Sequence, residues 1–258
     1  MMYDEICYES SFLKEAIARI DFIAPIEELS KSLPPKLADA LSKHFPISEP
    51  TEAIAQQLQL TGEKVRHNQT RFTKWTFFGK EREKQLVLIA QCVFVRYERY
   101  TTFEDMKGQF TAVVDAVKKA FPDARAGRFG LRYINLIEIP DLATPTTWGD
   151  YIAPALLGTM AFFTQPRHLT RLIQVAELKR EGLDVRFQFG MPNPDYPAMM
   201  KRPQFLLDID AYVPTVHDLG ESLQHMERGH GLIQELFEMS ITKQLRERMN
   251  ARSVSVQE

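Results

Sequence analysis

RFGLRYINLIEI at residues 128–139 repeats the character of KEAIARIDFI at residues 14–23. In the earlier run Ala16, Ala18, Ile20 and Phe22 fall on one face, and Glu15, Ile17, Arg19 and Asp21 on the other. A period of two marks a strand with one buried face. Each run opens the same series: a helical stretch, three further strand-like runs and a closing helix. The order β-α-β-β-β-α, read twice, predicts an α+β protein of antiparallel sheets. Its pseudo-repeats cover approximately residues 1–123 and 124–258. Neither half buries a large core alone, so the two are expected to merge into a single domain.

In the first half Pro25 ends the opening strand. Ile26 to His44 reads as helical, divided by Pro34-Pro35, with Leu37, Leu41 and Phe45 along one side. Glu52 to Leu60 has a helix-favouring composition, yet Ile54, Leu58 and Leu60 share one parity, and we read it as a strand. Arg71 to Phe78 and Leu86 to Tyr97 read as strands joined by Gly79 and the charged run Lys80 to Lys84. The second is almost continuously apolar, the pattern of a central strand. Phe103 to Phe121 reads as a helix. Thr101 precedes Glu104 in a capping-box arrangement, Met106, Phe110, Val113, Val117 and Phe121 form its buried stripe, and Pro122 stops it.

In the second half a loop rich in Thr and Pro follows Pro140, and Trp148 to Leu157 reads as a short helix. Thr170 to Lys179, Leu183 to Met191 and Gln204 to Tyr212 read as strands. Between the last two lies GMPNPDYPAMMKRP, residues 190–203, which is long for a hairpin. It reads as either a rigid lid or an interaction surface. A final helix is expected from about His217 to Met249, packed across a sheet, with Leu219, Leu223, Met226, His230, Ile233 and Phe237 on its stripe. Such a helix spans roughly 45 Å. Gly229 and Gly231 are expected to bend it. The residues after Arg252 are polar and expected to fray.

Bulk properties exclude several function classes. The chain has 258 residues and a net charge of −2, with no basic tail. A nonspecific nucleic-acid binder carries a basic stripe, so nucleic acid is not the expected partner. RFTKWTFF at 71–78 comes nearest to a stacking platform interleaved with cations. The start, MMYDEICYES, has neither a basic nor an apolar export region. The longest uncharged stretch, Tyr151 to Gln165, is broken by Pro154 and Gly158 and is too short for a bilayer. Cys7 and Cys92 stand alone, without metal-type spacing, which fits a reducing cytoplasm. No membrane association is expected. The chain has no GxxxxGK[ST], no GxGxxG after a strand, no HExxH and no GxSxG. No cofactor and no metal centre are predicted, and whether the chain is an enzyme stays open.

Four segments carry a resemblance: FLKEAIARIDF at 12–22, GLRYINLIEIP at 130–140, FLLDIDAY at 205–212 and HGLIQELFEMSITKQLRERM at 230–249. With these in this order, the chain resembles, over its full length, a sporadically distributed family of uncharacterised prokaryotic proteins of similar length. The resemblance implies a shared fold and a bacterial cytoplasmic setting, and no reaction. The patchy distribution implies accessory or mobile genes, such as those around host defence.

The candidate chemistry lies on the polar parity of the strands. Asp208 and Asp210 are two apart and project from one sheet face. Paired carboxylates can hold Mg²⁺ or Mn²⁺ through oxygen ligands. If the strands adjoin, Arg132, Arg186 and Gln188 share that face, with Glu15 and Arg19 joining from the first strand. The arginines would suit a phosphate or carboxylate ligand, because guanidinium offers a planar fork to oxyanions. The competing reading is a solvated or salt-bridged sheet face. His230 falls on the apolar stripe of the last helix, as a general base or ligand anchor or as a hydrogen-bonded core histidine. His217, His225 and His230 lack the spacing of a metal face. Two functions follow. One is a binding or regulatory module acting with a protein partner or as a homodimer. The other is an enzyme or sensor for an anionic or phosphorylated ligand held by Arg132, Arg186, Gln188, Asp208, Asp210 and His230.

Overall fold

The computed structural model describes residues 6–61, 64–144 and 146–253, so the polar tail after Ser253 lies outside the described residues. The first half contains β1 (Ile6–Tyr8), β2 (Leu13–Phe22), α1 (Pro35–Ser42), β3 (Ile47–Ser48), β4 (Thr51–Thr61), β5 (Lys64–Phe78), β6 (Lys84–Leu88), β7 (Cys92–Tyr97) and α2 (Phe103–Ala120). The second contains β8 (Arg125–Glu138), α3 (Gly158–Ala161), β9 (Leu172–Arg180), β10 (Leu183–Met191), β11 (Gln204–Val213), β12 (His217–Asp218), α4 (Ser222–Ser240), α5 (Lys243–Arg248) and β13 (Ala251–Ser253). The main sheet has the hydrogen-bonded order β3-β5-β6-β7-β2-β8-β11-β10-β9, with β4 added to β5 and β12 to β8. β1 and β13 form a separate antiparallel pair. The fold is α+β. In that order β2 lies beside β7, and β8 beside β11.

Two compact units are built from interleaved stretches of chain. One holds Met1–Ala16, Leu131–Tyr212 and Glu227–Glu258; the other holds Ile17–Gly130 and Val213–Met226. In the first, Leu131, Tyr133, Ile137, Val185, Phe187, Leu207, Ile209 and Ala211 are buried, as are Leu232 and Ile233 of α4. α4 packs against this sheet face with Gly229 at the contact. A Cβ there would stand 3.7 Å from both Leu131 and Ala211. In the second unit α1 packs beside α2, burying Leu37, Leu41, Met106, Phe110, Val113 and Val117. The Trp75 indole N–H donates to the Leu29 carbonyl at 2.8 Å.

Local chemistry explains most element ends. α2 is capped by Thr102, whose hydroxyl accepts from the Asp105 amide at 3.2 Å. The expected cap was one residue earlier; Thr101 instead donates to the Asp105 carboxylate at 2.9 Å. Glu104 and Asp105 in the first turn, and Lys118 and Lys119 in the last, complement the helix dipole. The strand expected over Glu52–Leu60 is present within β4.

Three expectations are corrected. Leu86–Tyr97 is a hairpin and not one strand: β6 and β7 are joined at residues 89–91, with the Ile89 amide donating to the Cys92 carbonyl at 3.0 Å. Trp148 to Ile152 forms a turn, and the helical residues lie later, in a 3-10 turn (Pro154–Leu157) and α3. The terminal helix is not continuous from His217 to Met249. His217 and Asp218 pair with β8 instead. α4 runs unbroken through Gly229 and Gly231 and stops at Ser240. Ile241 then bridges Ile152, and the Thr242 amide donates to the Tyr151 carbonyl at 3.0 Å. That bridge requires extended backbone, so the helix ends and Thr242 caps α5.

Candidate functional site

In the first unit, neighbouring residues of a strand face opposite ways. Odd-numbered β8 and β11 residues meet α4, which leaves Arg132, Asp208 and Asp210 on the other face. On β10 the register sets Arg186 opposite Asp210 and Gln188 opposite Asp208. Five of the six predicted residues therefore share one sheet face. His230 does not join them. It belongs to α4, with its Nδ1 3.0 Å from the Tyr133 hydroxyl, so it is a hydrogen-bonded histidine of the helix-covered side.

Arg132 and Asp208 form a bidentate pair: Nε donates to Oδ1 at 2.7 Å and Nη2 to Oδ2 at 2.6 Å. The Asp208 side chain is 5% exposed and that of Arg132 41%. Hydrogen bonding to Asp208 raises the guanidinium above its ordinary value against the effect of burial, and the charges of Asp208, Asp210 and Glu15 add to the rise. Arg186 donates to the Gln188 carbonyl oxygen at 3.0 Å. Half-buried Ile134, Leu136 and Leu206 lie among these polar groups.

This arrangement limits the chemistry. Asp208 takes the Nε and Nη2 side of the Arg132 guanidinium and already neutralises its charge, so an incoming oxyanion would meet only the remaining N–H donors of a paired cation. The same pairing withdraws Asp208 from metal binding. Among the described residues no group of three or more His, Cys, Asp or Glu side chains is placed to hold a metal ion. Arg19, considered with this face, donates to Asp21 at 2.7 Å. Within RFTKWTFF, Phe77 is buried, half-buried Trp75 donates to the Leu29 carbonyl, and the Arg82 guanidinium stands 4.6 Å from the centre of the half-buried Phe78 ring. Cys92 is buried, and burial pushes its thiol up.

Two clusters escaped sequence reading. His217 Nδ1 lies 2.7 Å from the Thr215 carbonyl, so it carries the proton, and Nε2 accepts from the Ser222 hydroxyl at 3.0 Å. A serine, a histidine and an orienting acceptor resemble an activated nucleophile, but Ser222 is fully buried at the start of α4 and no substrate reaches it. The expectation of one helix through these residues hid the turn that brings them together. The second cluster is Glu238, buried at the end of α4, which accepts from the Tyr8 hydroxyl and Arg246 Nε, both at 2.6 Å. Burial, then Glu238, pushes the Tyr8 phenol up.

The loop at 190–203 is tightly organised. Asn193 Nδ2 donates to the carbonyls of Thr170 at 2.8 Å and Ala198 at 2.7 Å. The Asp195 amide donates back to Asn193 Oδ1 at 3.0 Å. The Arg171 guanidinium stacks 4.2 Å from the Tyr196 ring centre. Tyr196 is 52% exposed, and Met199 is also exposed. Phe162, 82% exposed, and Phe163 follow α3, whose Thr159 hydroxyl donates to Gln174 Oε1 at 2.6 Å. Both apolar groups are thus tied to the start of β9.

Among the described residues no helix is long and apolar enough to cross a membrane. No protein-family model matches this chain, and no curated protein matches it.

Proposed function

We propose that this chain is a binding or regulatory module that acts with a partner protein. The observation that carries this reading is the set of exposed large apolar side chains, Phe162, Phe163, Tyr196 and Met199, held on ordered segments beside β9. An exposed apolar cluster with polar surroundings is the usual mark of a protein interaction site. Exposed Arg171, Lys201 and Arg202 outnumber Asp195 around the loop, so the partner is one that offers apolar side chains flanked by acidic groups. A bacterial cytoplasmic setting, membership of the sporadically distributed family and an internal duplication belong to the same proposal. The common strand order of the two halves supports the duplication.

The enzyme or sensor reading has weaker support, because Asp208 already occupies the Arg132 fork. Affinity capture from the source cell separates the two. The wild-type chain is expected to retain one protein in fixed stoichiometry, and Phe162→Ser with Tyr196→Ser to lose it without a change in melting temperature. Capture of a phosphate-rich small molecule with no protein, lost in Arg132→Ala, would replace this reading with the second.

A further inference from the structure

We propose that the free edge of β9 pairs with the same edge of a second copy of this chain, in an antiparallel homodimer centred on Leu178. Among the described residues β9 ends the order of the main sheet, with β10 as its one neighbouring strand. The hairpin to β10 turns on Glu181 and Gly182, with φ of 54° and 76°. In this two-residue turn the flanking residues, here Arg180 and Leu183, form a bonded pair. Bonding alternates along an antiparallel strand. Ile173, Val175, Glu177 and Lys179 therefore direct their N–H and C=O groups to the unpaired edge. Such a row is a template for another strand.

The charge order along β9 identifies the occupant. In self-pairing centred on Leu178, Glu177 stands opposite the partner subunit's Lys179, and Lys179 opposite the partner subunit's Glu177. Two cross-strand ion pairs form, and both lie at bonded positions. Both side chains project from the same face of the strand and both are exposed, Lys179 by 85% with Asp184 at 3.2 Å. Half-buried Leu178 meets its own copy on the opposite face. Neighbouring registers are worse. Centring on Glu177 or on Lys179 sets a charge against itself, and centring on Ala176 sets Glu177 against Val175 and Lys179 against Ile173. Opposite charges across a strand pair stabilise and like charges destabilise, so the charge order favours the register in which Ala176–Arg180 of the two copies overlap. This deepens the binding-module reading by naming a second copy as one partner. It rests on the strand edge and not on the Phe162 and Tyr196 side chains, so either idea can fail alone.

Sedimentation equilibrium of the full chain over a range of concentrations tests it. The wild type is expected to form a dimer. Glu177→Lys and Lys179→Glu should each weaken it at least tenfold, and the double exchange should restore it. Glu177→Pro removes the outward N–H of a bonded pair without touching the β10 ladder, and should yield a monomer that melts like the wild-type monomer. A wild type that stays monomeric would overturn the proposal. So would single exchanges that leave the dimer intact, or a double exchange that fails to restore it.

Discussion

Arg132 closes its guanidinium on a carboxylate that water barely reaches, and this decides how the open sheet face responds to change. Arg132→Ala leaves Asp208 buried without its cation. The expected loss is about 2 kcal/mol in urea unfolding, between the values for exposed and fully buried pairs. A second prediction concerns alkali. Burial, then the charges of Asp105 and Glu83, raises the Tyr97 phenol above its ordinary value of 10.0. The folded protein thus holds this proton more tightly than the unfolded chain. The stability it contributes is full below about pH 10 and falls as pH rises further. Urea midpoints measured from about pH 9 to 11 should decline, and Tyr97→Phe should make the decline shallower. The site was partly legible. Parity placed Asp208, Asp210, Arg186 and Gln188 on polar strand faces, whereas His230, counted with them as a ligand residue, lies on the helix-covered side against Tyr133. The bidentate pair was not legible, because it depends on β8 lying beside β11, and strand order is a long-range property that residue spacing does not encode.

Two glycines in neighbouring elements should respond oppositely to the same change. Gly190, one residue before the end of β10, has φ of 135°, and a Cβ there would lie 2.1 Å from the Leu172 carbonyl oxygen. Gly190→Ala is expected to cost about 3 kcal/mol or more. Gly231 lies on the exposed side of α4, with nothing within 4 Å of an added Cβ. Gly231→Ala should stabilise by up to about 1 kcal/mol through helix propensity. Thermal melts of the two variants check both signs. Elements with a clean period were legible: β2, α2, β10 and β11 fall close to their expected bounds. The hairpin between β6 and β7 was hidden because Ile89, Ala90 and Gln91 carry no glycine, proline or asparagine to announce a turn. The break after α4 was hidden for another reason. Ile241 continues the apolar stripe, and only its bridge to Ile152, distant in sequence, pulls it out of the helix.

For the whole molecule, the division into units predicts how it melts. β2, β8 and α4 each place residues in both units, so neither unit can unfold without unravelling an element of the other. The chain has two tryptophans, and they report separately, Trp148 from the first unit and Trp75 from the second. Single-tryptophan variants made with Trp75→Phe or Trp148→Phe should give urea midpoints that move together when Gly231→Ala is added, as a single cooperative transition requires. The α+β class with an antiparallel sheet was legible at this scale because it rests on alternation alone. The interleaved composition of the units was not, since it follows from which distant segments pair. The same interleaving sets a timetable for synthesis. The apolar face of β8, β10 and β11 is covered by α4, which is made after all three. A ribosome adding about 5–20 residues per second completes β8 about a hundred residues before it completes α4, so the β8 part of this face waits roughly 5–20 s for its cover. During that interval the newborn chain shows Leu131 and Tyr133 to the cell, joined later by Phe187 and then Ile209, and it depends on whatever shields nascent apolar surface until α4 arrives.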